Sequence, residues 1–279
     1  MRQSQIILRQ IGRLGTMAIA QNSSPMNNAI MVYHNPAMLN RKRIGVLTPS
    51  SNTALEPLTS AMVSQLGNVS AHFSRFGVTE ISLQEVSSRQ FNSDKILAAA
   101  QLLADARVDV ICWSGTSASW LGFEKDDALC ARIKEVTGRP ATTSVLALNE
   151  AMALNHINRF GLITPYIQEV HDRIIKNYRN NGMTCVADRH LNIQDNFSFA
   201  EIEPDQLANL IREVARDKPQ AIVTMCTNLR AAQLVHDLER EIGIPIYDSV
   251  SAVVWKALRL IQIEPQRVCG WGKLFSENL

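Results

Sequence analysis

No two cysteines of this chain stand close enough in sequence to be read as a pair. Cys112, Cys130, Cys185, Cys226 and Cys269 are odd in number and scattered, with no CxxC or CxxH spacing. That usage argues against a disulfide framework and a structural zinc site, and fits a reducing compartment. Excess charge is also scarce: the formal net charge is +2, and no basic run is interleaved with aromatics, which argues against a nucleic-acid partner. No apolar run is long enough to span a bilayer and no secretory h-region with a cleavage site is evident, so the chain is read as a non-membrane protein with the cytoplasm as its default address. Motifs are missing too. There is no GxSxG elbow, no GxxxxGK[ST] and no GxGxxG after a strand, and Gly270-Trp271-Gly272-Lys273 does not fill the gap. His72, His156, His171, His190 and His236 show no metal-ligand spacing and none sits in a strand-end loop, so no metal site is expected.

Acid is absent from the start of the chain, the first being Glu56. Residues 1–40 are rich in Met, Asn and Gln and show no sustained period. They are read as an N-terminal extension, poorly ordered, although the Arg-bearing, acid-free residues 1–15 also have the composition of a transit peptide.

What is present begins with an internal repeat. Arg43-Ile44-Gly45-Val46-Leu47-Thr48-Pro49 recurs as Arg159-Phe160-Gly161-Leu162-Ile163-Thr164-Pro165. The run from Val108 to Thr116 is echoed by Pro219 to Thr227. Thr137-Gly138-Arg139-Pro140 followed by Ser144-Val145 is echoed by Ile242-Gly243-Ile244-Pro245 followed by Ser249-Val250. Three echoes in the same order imply two related lobes. In the first, strands are expected at 44–48, 69–73, 108–113 and 140–143, with helices at 53–66, 93–106, 125–137 and 144–155. In the second, strands are expected at 160–163, 183–187, 221–225 and 245–247, with helices at 165–181, 203–217, 229–242 and 249–260. Such alternation predicts an α/β fold of two pseudo-symmetric three-layer lobes with mainly parallel sheets and a cleft between them. Residues 41–157 plus 248–279 would form the first lobe and 158–247 the second.

The site is expected where strands end. Ala221-Ile222-Val223-Thr224-Met225 is an apolar run that stops at Cys226 and turns polar, and helical spacing follows from Leu229. Ligands of open α/β sheets bind at such strand ends. A helix amino end directly behind Cys226 would favour a thiolate or a bound carboxylate, making Cys226 the candidate reactive group. Pro49-Ser50-Ser51-Asn52, Gly115-Thr116-Ser117, Pro165-Tyr166 and Cys226-Thr227-Asn228 leave four strands with hydroxyl and amide side chains, which suit a small carboxylate. Helix capping accounts for any one of these loops equally well. Arg230 reads either as a second carboxylate anchor or as a solvated surface residue. Cys112, inside an apolar run, reads as a core cysteine.

Thr48-Pro49-Ser50-Ser51-Asn52-Thr53, the Thr164-Pro165-Tyr166 turn, Asp195-Asn196 and the Cys226-Thr227 strand end together resemble the aspartate/glutamate racemase superfamily. The similarity points to the branch holding maleate cis-trans isomerase and arylmalonate decarboxylase. Asn228-Leu229-Arg230, Gly115-Thr116-Ser117 and Gly270-Trp271-Gly272 are most similar to its ectoine-utilisation proteins. The resemblance implies a cofactor-independent enzyme whose carboxylate substrate lies between two lobes, and homo-oligomerisation fits the class. Racemases of the superfamily carry one cysteine in each lobe, whereas here Cys226 is matched by Gly115. A lone thiol opposite a Gly-Thr-Ser loop resembles the decarboxylase, which implies Cys226 as general acid. Thr116, Ser117, residues 50–52 and Tyr166 would then be donors to the carboxylate and enediolate, with Asn196, Thr227 and Asn228 beside them. Isomerisation or racemisation with a different second base, and a non-catalytic acid binder, are the alternatives. All three require two facing rims, and the enzyme readings require a sulfur within reach of solvent.

Overall fold

In the computed structural model, residues 41–81, 83 and 93–276 are described here; the extension at 1–40 lies outside them. Two four-stranded parallel sheets form the frame. The first has the order β2-β1-β3-β4, from β1 (Lys42–Pro49), β2 (Val69–Phe76), β3 (Val110–Trp113) and β4 (Ala141–Thr143). The second repeats that order as β6-β5-β7-β8, from β5 (Arg159–Thr164), β6 (Thr184–His190), β7 (Ala221–Thr224) and β8 (Ile246–Asp248). Register repeats as well: Ile44 of β1 faces Val110 of β3, and Phe160 of β5 faces Ala221 of β7.

The connections in the first half are α1 (Leu55–Ser64), α2 (Ser93–Asp105), α3 (Ala118–Leu121), α4 (Phe123–Thr137) and α5 (Ser144–Leu154). In the second they are α6 (Gln168–Asn180), α7 (Pro204–Ala215), α8 (Val235–Ile242), α9 (Ser249–Leu260) and a last turn, α10 (Lys273–Ser276). Central strands β3 and β7 are buried along their whole length, as expected of parallel strands covered on both faces. Among the described residues no helix is long and apolar enough to cross a membrane.

The echoes have local causes. A Cβ on Gly161 would meet Val214 of α7 at 2.3 Å, and one on Gly45 would meet Val108 at 3.0 Å and Leu103 of α2 at 3.2 Å. A helix or its exit thus presses on the first strand of each half where only glycine leaves room. Gly138 and Gly243 close α4 and α8 with φ of 67° and 75°, each sending its N–H back to the carbonyl four residues earlier. Matching helices then start on matching caps: Thr143 Oγ1 accepts from Leu146 N at 3.1 Å before α5, and Asp248 Oδ1 accepts from Val250 N at 2.8 Å before α9.

The two halves share most of one core. A single apolar cluster runs from Ile44 through Trp113, Phe160 and Trp255 to Phe275, while a smaller one, including Ile163, Ile211 and Ile222, belongs to the second sheet with α7 and α8. After β8 the chain returns to the first sheet, where α9 packs on α5, α1 and β3 and Lys256 Nζ reaches Glu150 Oε1 at 2.7 Å. The strand-end loops of both sheets consequently face one another.

Candidate active site

Cys226 lies two residues past the end of β7, and its N–H donates to Ser249 Oγ at 3.2 Å. The expected helix does not start behind it. Residues after Cys226 form turns, then a short 3-10 segment at Ala232–Leu234, and α8 begins only at Val235. The apolar spacing from Leu229 onward reflects burial of irregular chain, since Leu229, Ala231 and Ala232 all belong to the core. No helix amino end therefore lies directly behind the thiol. Turn N–H groups approach the sulfur instead, that of Asn228 at 3.4 Å and that of Leu229 beside it.

Accessibility also corrects the expectation. Cys226 is 3% exposed, and burial pushes its thiol up to about 12 against the pull of the Tyr166 phenol and the N–H groups of Asn228 and Leu229. The sulfur nevertheless lines a cavity of about 20 Å³, room for roughly one water. Pro49, Thr116, Ser117, Tyr166 and Thr227 line that cavity with Cys226, so the structure brings together residues from both sheets that the strand-end reading singled out, and Asn196, taken from the resemblance, joins them. Tyr166 is central to it: its hydroxyl pairs with Thr116 Oγ1 at 2.7 Å across the two halves and hydrogen-bonds the Cys226 sulfur. Burial holds that phenol well above its ordinary range, keeping it a neutral donor.

The remaining candidates sit around this cavity without lining it, and most hold the two rims together. Asn52 Oδ1 accepts from Ala54 N at 3.0 Å and Leu55 N at 2.9 Å at the start of α1, while its amide donates to Thr227 Oγ1 at 3.2 Å. Asn228 Oδ1 accepts from Thr53 N at 2.9 Å and Ala54 N at 3.1 Å, and its amide donates to Asn196 O at 2.5 Å. Thr227 Oγ1 donates to Ser114 O at 3.1 Å. Ser50 and Ser51 spend their hydroxyls on the Val78 carbonyl, and Asn196 Nδ2 donates to Ser51 Oγ at 2.7 Å. Arg230 does not reach the cavity; its Nη2 faces Ile202 O at 3.4 Å. Gly115 lies beneath the Trp113 indole, where a Cβ would meet Cζ2 at 2.0 Å.

Four apolar wall residues, Val78, Ile81, Trp113 and Trp120, carry no sequence signal distinguishing them from core. Cys112 lies within β3 at 1% exposure. A cluster of ligand-type atoms that chain spacing did not anticipate joins His171 of α6 to Asp188 and His190 of β6, all within 4.8 Å of one another. No ion is needed to explain it: His171 Nδ1 pairs with Thr164 Oγ1 at 2.9 Å and Nε2 with Asp188 Oδ1 at 3.0 Å, and burial lowers the affinity of the imidazole for a proton.

Two like-ordered parallel sheets with facing strand ends are the fold of the maleate isomerase and arylmalonate decarboxylase branch of the aspartate/glutamate racemase superfamily. The chain belongs to the arylmalonate decarboxylase family, whose model matches residues 44–275. It is similar to a maleate isomerase of Pseudomonas putida, with 26% identity over 248 residues that cover 84% of this chain and 97% of the relative. Similarity to an arylmalonate decarboxylase of Bordetella bronchiseptica reaches 28% over 189 residues, covering 66% and 78% of the two chains. The crystal structure of the maleate isomerase Iso from Pseudomonas putida S16 superposes with a TM-score of 0.77 at 26% identity, covering 84% of this chain and 98% of that one. The chain is accordingly an enzyme of this superfamily, a lyase or an isomerase.

Proposed function

We propose that this enzyme, without a cofactor, removes carbon dioxide from a small malonate-type diacid and that Cys226 then protonates the resulting enediolate on one face. One observation carries the reading: the Trp113 indole occupies the space above Gly115, the counterpart of Cys226 in the other half, so a thiol is available on one side only. Proton exchange across a carbon needs an acid on one face and a base on the other, and the lone thiol supplies one of them. The bond between the reacting carbon and one carboxylate breaks, its electron pair enters the enediolate, and carbon dioxide leaves. The Cys226 S–H then gives its proton to that carbon, and the thiolate regains one from water. A thiol that burial keeps protonated is suited to the donor role. Tyr166, Thr116 and Ser117 supply neutral hydroxyl groups around the developing charge, each donor typically worth a few kcal/mol in such a setting.

Isomerisation of an unsaturated diacid is the second reading, favoured by the near-complete coverage of the maleate isomerase relative. The test is to incubate the enzyme separately with disubstituted malonates and with maleate, following carbon dioxide release and fumarate by NMR. Carbon dioxide release that collapses in Cys226→Ala, whose unfolding curve stays native, supports the decarboxylase; fumarate without carbon dioxide transfers the assignment to the isomerase.

A further inference from the structure

Thr224 ends β7 and Asp248 ends β8, and the two are paired in register. Thr224 Oγ1 donates to Asp248 Oδ2 at 2.8 Å, while Asp248 Oδ1 accepts from Val250 N at 2.8 Å and Ser251 N at 3.1 Å at the start of α9. The neighbouring Ser249 Oγ donates to Thr224 O at 3.1 Å and accepts from Cys226 N at 3.2 Å. Asp248 and Ser249 therefore hold the chain on both sides of Met225, directly before the sulfur. Capping alone does not require a charge here. At the matching position of the other half, Thr143 caps α5 with a neutral hydroxyl, and that half carries Gly115 where this one carries Cys226. Asp248 is fully buried and the partners just named are neutral, so its carboxylate costs a desolvation that a threonine cap avoids. The charged cap goes with the half that bears the thiol.

We propose that Asp248 is a positioning residue for Cys226, a fixed negative charge braced behind the strand end that opposes a second one on the sulfur. The inference rests on the reading of Cys226 as the proton donor. The thiol keeps its proton until the enediolate carbon takes it, and the thiolate left behind is driven to recover a proton from water. Burial lifts the Asp248 carboxyl to about 6, which leaves it ionised at pH 8. After burial itself, its field is what raises the Cys226 thiol, against the pull of Tyr166 and the N–H groups of Asn228 and Leu229. Tyr166, the other ionisable group on the sulfur, is held neutral by burial.

Neutral iodoacetamide and anionic iodoacetate, nearly equal in size, report the charge beside the sulfur at pH 8. Both need the same thiolate and the same access, so the ratio of their rates at Cys226 cancels thiol acidity and local opening. Asp248→Asn keeps a good cap and removes the charge. It should raise the iodoacetate-to-iodoacetamide ratio at Cys226 by roughly threefold or more. The ratio at the exposed Cys269, read from the same peptide maps, should not move. Asp248→Thr, with the residue that caps α5, repeats the test if the asparagine variant fails to fold. An unchanged ratio at Cys226, an equal change at Cys269, or failure of both variants to fold leaves Asp248 a structural cap and overturns the proposal. If Cys226→Ala abolishes turnover while the Asp248 variants leave the ratio fixed, the catalytic reading stands and this one falls. A ratio that responds in an enzyme indifferent to Cys226→Ala has the opposite meaning.

Discussion

The Trp113 indole lies across Gly115, with Cζ2 and Cε2 at 2.0 and 2.3 Å from where a Cβ would stand. In the repeat, Gly115 matches Cys226 and Trp113 matches Thr224, so a large ring replaces a small side chain in the half that lacks the thiol. Gly115→Ala should cost roughly 1–3 kcal/mol through overpacking. In the background of Trp113→Ala that cost should shrink by more than about 0.5 kcal/mol, the usual mark of coupled neighbours. Urea unfolding of the four proteins measures it, and strictly additive costs would show that the ring does not set the constraint.

Thiol chemistry gives a second expectation. Only the thiolate alkylates readily, and burial holds Cys226 up to about 12. Iodoacetamide at pH 7 should modify the exposed Cys269 first and reach Cys226 more slowly by roughly a hundredfold or more. Peptide mapping after timed quenching resolves the two sites, and comparable rates would contradict the buried sulfur.

Asn228 joins three partners across the two rims, so its loss should be felt in stability. Asn228→Ala leaves the Thr53 and Ala54 N–H groups without this buried acceptor and removes the bond to Asn196 O. A loss of roughly 1–3 kcal/mol follows from taking this partner from the Asn196 carbonyl and the Thr53 N–H, while Ala54 N–H keeps Asn52 Oδ1. Asn228→Asp keeps the acceptor and should recover part of it. Chemical denaturation reads both, and an unchanged midpoint for the alanine variant would rule out the bridging role.

Asp126 makes stability depend on pH. Its carboxyl moves from 3.8 to about 7 on folding, so between those values the folded chain holds a proton that the unfolded chain has released. Stability therefore falls as pH rises through this window and levels off above it, by at most about 4 kcal/mol from this group. Asp248, lifted to about 6 by burial, adds to the fall in the same direction. Asp126→Asn should flatten the decline in urea midpoint between pH 4.5 and 7.5, and parallel declines in the two proteins would refute the assignment.

Much of this fold was legible because its repeat is written in residues with local duties. Gly45 and Gly161 mark where the chain presses on a strand, and Gly138 and Gly243 mark left-handed helix ends, so the matched elements could be placed from spacing alone. Strand ends likewise marked Pro49, Thr116, Ser117, Tyr166, Cys226 and Thr227, which share one cavity with Asn196, a residue marked only by the family resemblance. What stayed hidden depends on contacts distant in sequence. Leu229 to Leu234 reads as helix from its apolar spacing, but packing buries it as turn and 3-10 segment. Arg230 is drawn toward the Ile202 carbonyl, and Trp113 and Trp120 look like any core aromatics until both halves are assembled. Asn52 and Asn228 looked like ligand-binding amides, yet their oxygens are engaged at the start of α1.

The return of α9 from the second sheet to pack on α5 and β3 of the first makes this a molecule whose halves are interleaved along the polypeptide. Severing it midway, near Asn158, would strand the first sheet without the cover it receives from the far end of the chain. The N-terminal fragment would expose the apolar flank of α5, and the C-terminal one would carry α9 with nothing to lie against. Co-expressed, the two pieces have reason to seek each other out, and a split enzyme assembled from them would reconstitute its cavity only on reunion.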